Sequence, residues 1–383
     1  MRPARQPDAP MAASAPLRVA IIGLGEAGSG LHLPALARIP TAHVVGGCDS
    51  DGKARDRVAA RWRIPVFADP GTMLAETRAD VVIVATPPAS HAEQCLRALA
   101  CGAHVVYEKP FVSSLDEADR VLAAAKAACR LVVVNHEFRE MPIFRALLDQ
   151  VREGNAGELQ FAQVWQLFDM PPWSESGWRG QIAERTLFEA GVHLVDLLMA
   201  LYDEQPVAVQ AATSSGSRVQ PGADAVVVAT LEFSGGRLAQ LVQNRLCKGE
   251  RQYFEVRADT DRASFRASFG GRARLSAGLF RSSRPHVRFE RGASGLAWRE
   301  IGTRRVRLAR NPADPNVWGT REVLKRAFEA FQGACAPRVD AACARDVLEV
   351  IAACYCAART GSRVRLNDPG IGLRSVRMGA VRV

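Results

Sequence analysis

The most constraining feature of this chain is the way its first 135 residues change period. Short, continuous apolar runs cover 17–23, 43–49, 80–86, 104–108 and 131–135. Between them, 33–39, 53–62, 91–101 and 114–128 carry helical spacing. A strand that is apolar at nearly every position is buried on both faces, and the helices in the gaps supply the cover. The pattern predicts a parallel sheet wrapped by helices. Ser114, with Glu117 three residues later, has the form of a capping box that opens the fourth helix.

After about residue 140 the period changes. A helix is expected over 142–152, and then alternating stretches at 159–168, 207–212, 225–233, 237–244, 252–258 and 263–269 read as strands of a mostly antiparallel sheet. Further helices are expected over 186–201, 321–331 and 341–359, with loops at 171–180 and 311–316. The expected division is a disordered tail at 1–16, a nucleotide-binding domain at 17–140 and a second, α+β domain at 141–383. A length of 383 residues suits two domains.

Composition removes several classes. No run approaches the roughly 18 apolar residues of a membrane span, and the apolar run at 17–24 is too short for an export signal. The nine cysteines are odd in number and contain no C-x-x-C pair, which argues against a zinc ribbon or a disulfide framework and for reduced thiols in the cytoplasm. The net charge of +10 is concentrated: 262–310 holds 13 Arg, no Lys and two acids. These arginines lie among strand-like segments without a nucleic-acid motif, so nucleic acid is disfavoured. They read as a solvated or self-associating surface, or in part as a face toward an anionic substrate.

The first strand runs into Gly23-Leu-Gly25-Glu26-Ala27-Gly28, a G-x-G-x-x-G between strand and helix. Its glycines permit a tight turn and bring backbone amides at a helix N-terminus against a pyrophosphate. Asp49 closes the second strand 21 residues after Gly28. Its carboxylate would accept from ribose hydroxyls and repel a 2′-phosphate, which favours NAD and leaves NADP as the lesser option. The stretch 29–32 lengthens this loop. The fourth strand ends in Tyr107-Glu108-Lys109-Pro110. In an open parallel sheet ligands lie beyond the carboxyl ends of the strands, so Lys109 is placed where nicotinamide and substrate would meet.

With these residues in view the chain resembles the Gfo/Idh/MocA oxidoreductases. The likeness rests on 23–28 with His32-Leu-Pro-Ala-Leu, on Asp49, on Ala85-Thr86-Pro87-Pro88 with His91, on 102–110, on Asn135-His-Glu-Phe-Arg139 and on Gly191-Val-His193-Leu-Val-Asp196. The resemblance implies a doubly wound Rossmann domain followed by a domain with a large open sheet. It also implies pairing through that sheet into dimers or tetramers, and oxidation or reduction of a hydroxyl on a sugar, cyclitol or related polyol; the basic segment tilts the expected substrate toward a uronate, a phosphorylated sugar or a nucleotide sugar.

Hydride transfer from a secondary alcohol needs a base for the hydroxyl proton. Glu189, His193 and Asp196 are spaced four and three apart, which predicts one helical face. The resemblance makes His193 the acid/base, with Lys109 polarising the substrate oxygen; the two roles could be exchanged. Glu189 stands where the family commonly has Asp, one methylene shorter, and Asp196 reads as a structural partner. Thr86, Pro87, His91, Glu108 and Asn135 are expected along the cofactor, with His32 behind them. Arg139, Trp178 and Arg179 are expected to meet substrate. No cluster of metal ligands is spaced for a site. Two other functions stay open at this point: a glycosidase-like reaction through transient oxidation by NAD, and a cofactor-binding regulator or scaffold without catalysis.

Overall fold

A computed structural model of the chain describes residues 15–153, 156–169, 177–216, 223–248, 252–270, 274–278, 286–290, 295–337, 340–366, 373 and 378. The tail expected at 1–16 lies almost wholly outside them.

Six parallel strands form the N-terminal sheet: β1 (Leu17–Ile22), β2 (Ala42–Cys48), β3 (Val66–Phe67), β4 (Val81–Val84), β5 (His104–Tyr107) and β6 (Val132–Val134). Their order is β3-β2-β1-β4-β5-β6, so the direction of winding reverses between β1 and β4. That reversal opens a crevice at the strands' carboxyl ends. The intervening helices are α1 (Leu33–Leu36), α2 (Gly52–Trp62), α3 (Pro70–Thr77), α4 (His91–Ala100) and α5 (Leu115–Ala127). Val19, Ile21, Val81 and Ile83 are fully buried on one face, and Ala20, Val82 and Val84 on the other. Each large aliphatic side chain so buried contributes about 1.5–3 kcal/mol.

Helix starts follow local chemistry. Asp51, Asp69 and Ser114 accept from backbone amides at the heads of α2, α3 and α5. Glu117 reaches back to Ser113 N at 2.9 Å, one residue before the cap. The strand β3 escapes the period reading because two residues are too few to show a period, and the eight-residue α3 escapes it as well.

The second part begins with α6 (Pro142–Arg152), β7 (Leu159–Phe168), α7 (Gly177–Gly180) and α8 (Val192–Tyr202). The strands β8 (Ala208–Ser214), β9 (Val226–Glu232), β10 (Leu238–Asn244), β11 (Gln252–Thr260) and β12 (Ser264–Gly270) follow. Next come a separate hairpin of β13 (Arg274–Gly278) and β14 (His286–Glu290), then β15 (Leu296–Ile301) and β16 (Arg304–Arg310). The chain closes with α9 (Pro315–Phe331), α10 (Ala341–Thr360) and β17 (Val364–Arg365). Nine strands make one sheet in the order β16-β15-β12-β11-β7-β10-β9-β8-β17, parallel only at β7–β10. One face packs under helices. The other leaves Val228 and Leu238 40% and 42% exposed.

One helix from beyond residue 140 returns to the first sheet. Val323, Leu324, Ala327 and Phe328 of α9 pack with Val19, Ile21, Val106 and Val133 of the first sheet. The short α1, together with α2, covers only part of that face, and α9 returns from far along the chain to bury the remainder. The helix also starts at Pro315, inside the loop expected at 311–316, because proline suits a first helical turn. The arginine-rich segment supplies β12, the β13–β14 hairpin, β15 and the edge strand β16. Arg266 pairs with Glu255 and Arg305 with Glu300, away from the crevice. Charge along an edge strand discourages pairing with another chain.

Candidate active site

The glycine loop leaves β1 at Gly23, whose φ of 99° lies in the left-handed region. A Cβ there would stand 2.5 Å from Ala85 O and 2.8 Å from Thr86 N, so the loop lies against the end of β4. At Gly28 a Cβ would stand 1.9 Å from Gly23 O. At Gly25 a Cβ would meet nothing within 4 Å, so the loop is tight on its inner side and open on its outer side. Glu26 and Ala27 begin the helix. Its backbone widens into a π-helical turn at Gly28–His32 before α1, which is how the chain absorbs the long loop.

Asp49 leaves the end of β2 and accepts from Leu24 N (2.8 Å) and Asp51 N (2.9 Å). The cap of α2 is Asp51, and Asp49 instead braces the glycine loop through these two bonds. An open cradle of amides at a helix start, with a carboxylate one strand away, fits a dinucleotide's pyrophosphate and ribose.

Past β4, Thr86 is half-buried and accepts from Ser90 Oγ at 2.9 Å, and Pro87 is exposed. His91 lies elsewhere. It is fully buried, with Nε2 2.6 Å from Thr86 O and Nδ1 3.0 Å from Pro110 O. Expected along the cofactor, it instead ties the ends of β4 and β5 together, because a buried imidazole takes the carbonyls within its reach.

The end of β5 holds a buried polar network. His32 Nε2 donates to Glu108 Oε1 at 2.8 Å, and Asn135 Nδ2 donates to Glu108 Oε1 (2.8 Å) and to Thr320 Oγ1 of α9 (3.0 Å). Burial alone would raise the Glu108 carboxyl. The hydrogen bond and charge of His32, then Lys109 and Asn135, hold it below the usual carboxylate range. Next to this network the half-buried Lys109 directs Nζ to Glu189 O at 3.5 Å.

A second π-helical turn, Thr186–Gly191, leads into α8. Glu189 lies inside this turn, four residues before His193. Arg179 Nε donates to Glu189 Oε1 at 2.5 Å, and its guanidinium lies 4.5 Å over Trp178. Glu189 thus offers Lys109 its carbonyl and gives its carboxylate to Arg179.

His193 is buried to 3% and stacks on Phe138 at 4.0 Å and 8°. Burial, then the charge of Lys109, pushes its pKa well below the usual imidazole value. Lys109, from the end of a strand of the first sheet, thus stands beside the turn that leads into His193 on α8. Glu137 joins them, with Oε1 3.8 Å from His193 Nε2. Burial, then the charge of Glu108, pushes its carboxyl up to about 8.

Arg139, expected to meet substrate, does not. It donates to Asp196 Oδ2 at 2.6 Å and to Asp196 O at 3.3 Å. Asp196 is fully buried, and an anion there needs a cation more than the crevice does. His136 approaches the same carboxylate at 3.5 Å. Three residues of the site, His136, Glu137 and Thr320, do not emerge from the sequence. A carboxylate two residues past a strand's carboxyl end was the available signal for Glu137; nothing local marks Thr320.

Residues 17–136 match the model of an oxidoreductase family with an NAD-binding Rossmann fold. Residues 144–264 match that of the GFO/IDH/MocA C-terminal domain. Among curated relatives, 1,5-anhydro-D-fructose reductase of Ensifer adhaerens is 30% identical over 46% of this chain and 54% of its own. D-glucoside 3-dehydrogenase of Escherichia coli is 29% identical over 49% and 54%. The matched part spans about half the length of these relatives. Among solved structures, the WlbA dehydrogenase of Bordetella pertussis, in complex with NADH and UDP-GlcNAcA, shares the fold with a TM-score of 0.75. It is 20% identical, over 92% of this chain and 98% of that one. Aldose-aldose oxidoreductase of Caulobacter crescentus gives a TM-score of 0.76 at 20% identity, over 91% and 99%. The chain belongs to the Gfo/Idh/MocA oxidoreductases and carries their NAD-binding Rossmann fold.

Proposed function

We propose that this protein is an NAD-dependent dehydrogenase or reductase acting on a secondary hydroxyl or ketone of a sugar, cyclitol or sugar derivative. The observation that carries this reading is the approach of Lys109, two strands beyond the glycine loop, to the turn that leads into His193. NAD, when bound, supplies the hydride acceptor, and NADH the donor. Gly23, Gly25, Glu26, Ala27 and Gly28 hold the pyrophosphate by backbone, and Asp49 holds the adenosine ribose and repels a 2′-phosphate. Thr86, Pro87, Glu108 and Asn135 shape the bed beyond.

Lys109 donates to the substrate oxygen and offsets the charge that develops on it. His193, neutral at ordinary pH, takes the hydroxyl proton on a ring nitrogen as the carbonyl forms, and returns it in reduction. Trp178 offers a flat apolar surface to a sugar ring, with the Arg179–Glu189 pair beside it. The names of the relatives support the sugar class.

Pairing into a homodimer or tetramer uses the open face of the nine-stranded sheet, where Val228 and Leu238 stand exposed. Nine free cysteines favour the cytoplasm. Among the described residues no helix is long and apolar enough to cross a membrane. The test follows NADH absorbance over a panel of sugars, polyols and nucleotide sugars, with Lys109→Ala and His193→Ala beside the parent chain. Turnover abolished by both variants supports the reading. NAD binding without turnover of any sugar overturns it in favour of a scaffold, and NAD retained through purification while a glycoside is cleaved favours the glycosidase-like reaction.

A further inference from the structure

In oxidation the substrate proton arrives at His193, where it cannot stay. The imidazole is enclosed, stacked on Phe138 and faced by the Lys109 ammonium, so its cationic form is short-lived. Its own Nδ1 has no hydrogen-bond partner, and among the buried polar atoms around it neither has Glu137 Oε2, nor His136 Nδ1 and Asp196 Oδ1 behind it. The other ring nitrogen, Nε2, lies 3.8 Å from Glu137 Oε1. That separation is too long for a hydrogen bond, and a closure of under 1 Å would make it one. Unpaired buried groups of this kind are uncommon in folded proteins and call for a reason.

We propose that Glu137 is the proton reservoir of the active site, exchanging with His193 during turnover. The inference rests on the oxidoreductase reading. In oxidation the substrate O–H bond breaks and an N–H bond forms on His193. The hydride leaves carbon with the C–H electron pair for the nicotinamide. The imidazolium then passes its proton to the Glu137 carboxylate, which becomes a carboxylic acid. Reduction runs these steps backwards. Glu189, the carboxylate that the family's pattern puts forward, is held by Arg179 and faces away from this exchange.

The surroundings fit a reservoir. Glu137 is faced by Glu108 and Lys109 beyond β5, by His193 and Asp196 of α8, and by its neighbour His136. From α9 it meets Gly319, where a Cβ would lie 2.4 Å from Glu137 O and 3.2 Å from its Cβ. That contact is uncharged and fixes the backbone. Burial and Glu108 push the carboxyl up to about 8, while burial and Lys109 push His193 down. The resting proton therefore sits on Glu137. Oxidation needs it gone and should rise with pH through about 8; reduction needs it present and should fall through the same range.

The test uses the full chain. Infrared difference spectra should show a carbonyl band of a protonated carboxylic acid that titrates away with a midpoint near 8 and is missing in Glu137→Gln. In magnetic resonance of histidine-labelled protein, the His193 nitrogens should shift at that same midpoint in the parent chain and not in Glu137→Gln. With methyl glucoside and NAD, or 1,5-anhydro-D-fructose and NADH, Glu137→Gln should lose about 100-fold or more in rate together with the inflection. Glu137→Asp should regain part of the rate and an inflection. A band that survives in Glu137→Gln, or His193 signals indifferent to that substitution, overturns the inference. Turnover with an unchanged pH profile overturns it alone and leaves the oxidoreductase reading standing. Absence of turnover in the parent chain counts against that reading, and the two spectroscopic titrations still decide the coupling.

Discussion

Replacing Glu137 by Gln should make the protein more stable, and only at high pH. The ordinary carboxyl value of 4.5 becomes about 8 in the folded chain, chiefly through burial. The folded state therefore holds this proton more tightly than the unfolded state. Between pH 4.5 and 8 the unfolded chain has released it and the folded chain has not, so stability falls as pH rises through that window. Below the window both states are protonated and there is no penalty. Above it the penalty is complete. Each tenfold gain in proton affinity on folding costs about 1.4 kcal/mol there, which sets an upper limit of about 5 kcal/mol. Glutamine keeps the shape without the titration and removes the penalty.

An unfolding entropy of roughly 2.1 cal/mol/K per residue makes each kcal/mol worth about 1 °C for a chain of this size melting as one unit. The variant should melt within about 1 °C of the parent at pH 5 and about 4–6 °C above it at pH 9. Scanning calorimetry at the two values measures this, and other titrating groups cancel in the difference. A variant that is less stable by the same amount at both values would refute the reasoning, because Glu137 would then be an ionised partner whose charge the fold needs.

Arg139→Ala strands the buried Asp196 carboxylate and should cost about 3–5 kcal/mol in chemical denaturation; a rise in substrate KM with no loss of stability would return Arg139 to the substrate. Gly28→Ala must push its new methyl through Gly23 O, so calorimetric titration should find NAD binding lost alongside about 1–3 kcal/mol of stability. Asp49→Ala removes the acceptor of two loop amides and of the ribose hydroxyls, and the NAD Kd should rise about 10–100-fold while the preference over NADP narrows. Lys109→Ala should cut kcat by about 100–1,000-fold on whichever sugar is turned over, with NAD affinity changed little.

The cofactor half of the site was legible in the sequence because each part is local. A buried strand, a glycine turn and a helix follow one another within twenty residues, and the carboxylate of Asp49 ends the next strand. Glu108-Lys109-Pro110 sits at a strand's carboxyl end, where sheet topology alone predicts a ligand. Ser114 could be read as a cap because it acts on residues a few positions away.

The catalytic half was legible only in its residue types. His193 and Glu189 stand out in the sequence, yet nothing in it shows that Arg179 takes the Glu189 carboxylate. Arg139 looks like a substrate residue because its demand from Asp196, 57 residues away, leaves no local mark. Thr320 reaches Asn135 across 185 residues, through a helix that returns to cover the first sheet. Periodicity reports which side of an element is apolar. It says nothing about which buried polar group will answer another, since that choice is made only when desolvation forces each charge to find the nearest available partner. Strand order, the return of α9 and the pairing of Glu137 with His193 were therefore decided by packing, and the glycine loop, Asp49 and Lys109 by the sequence itself.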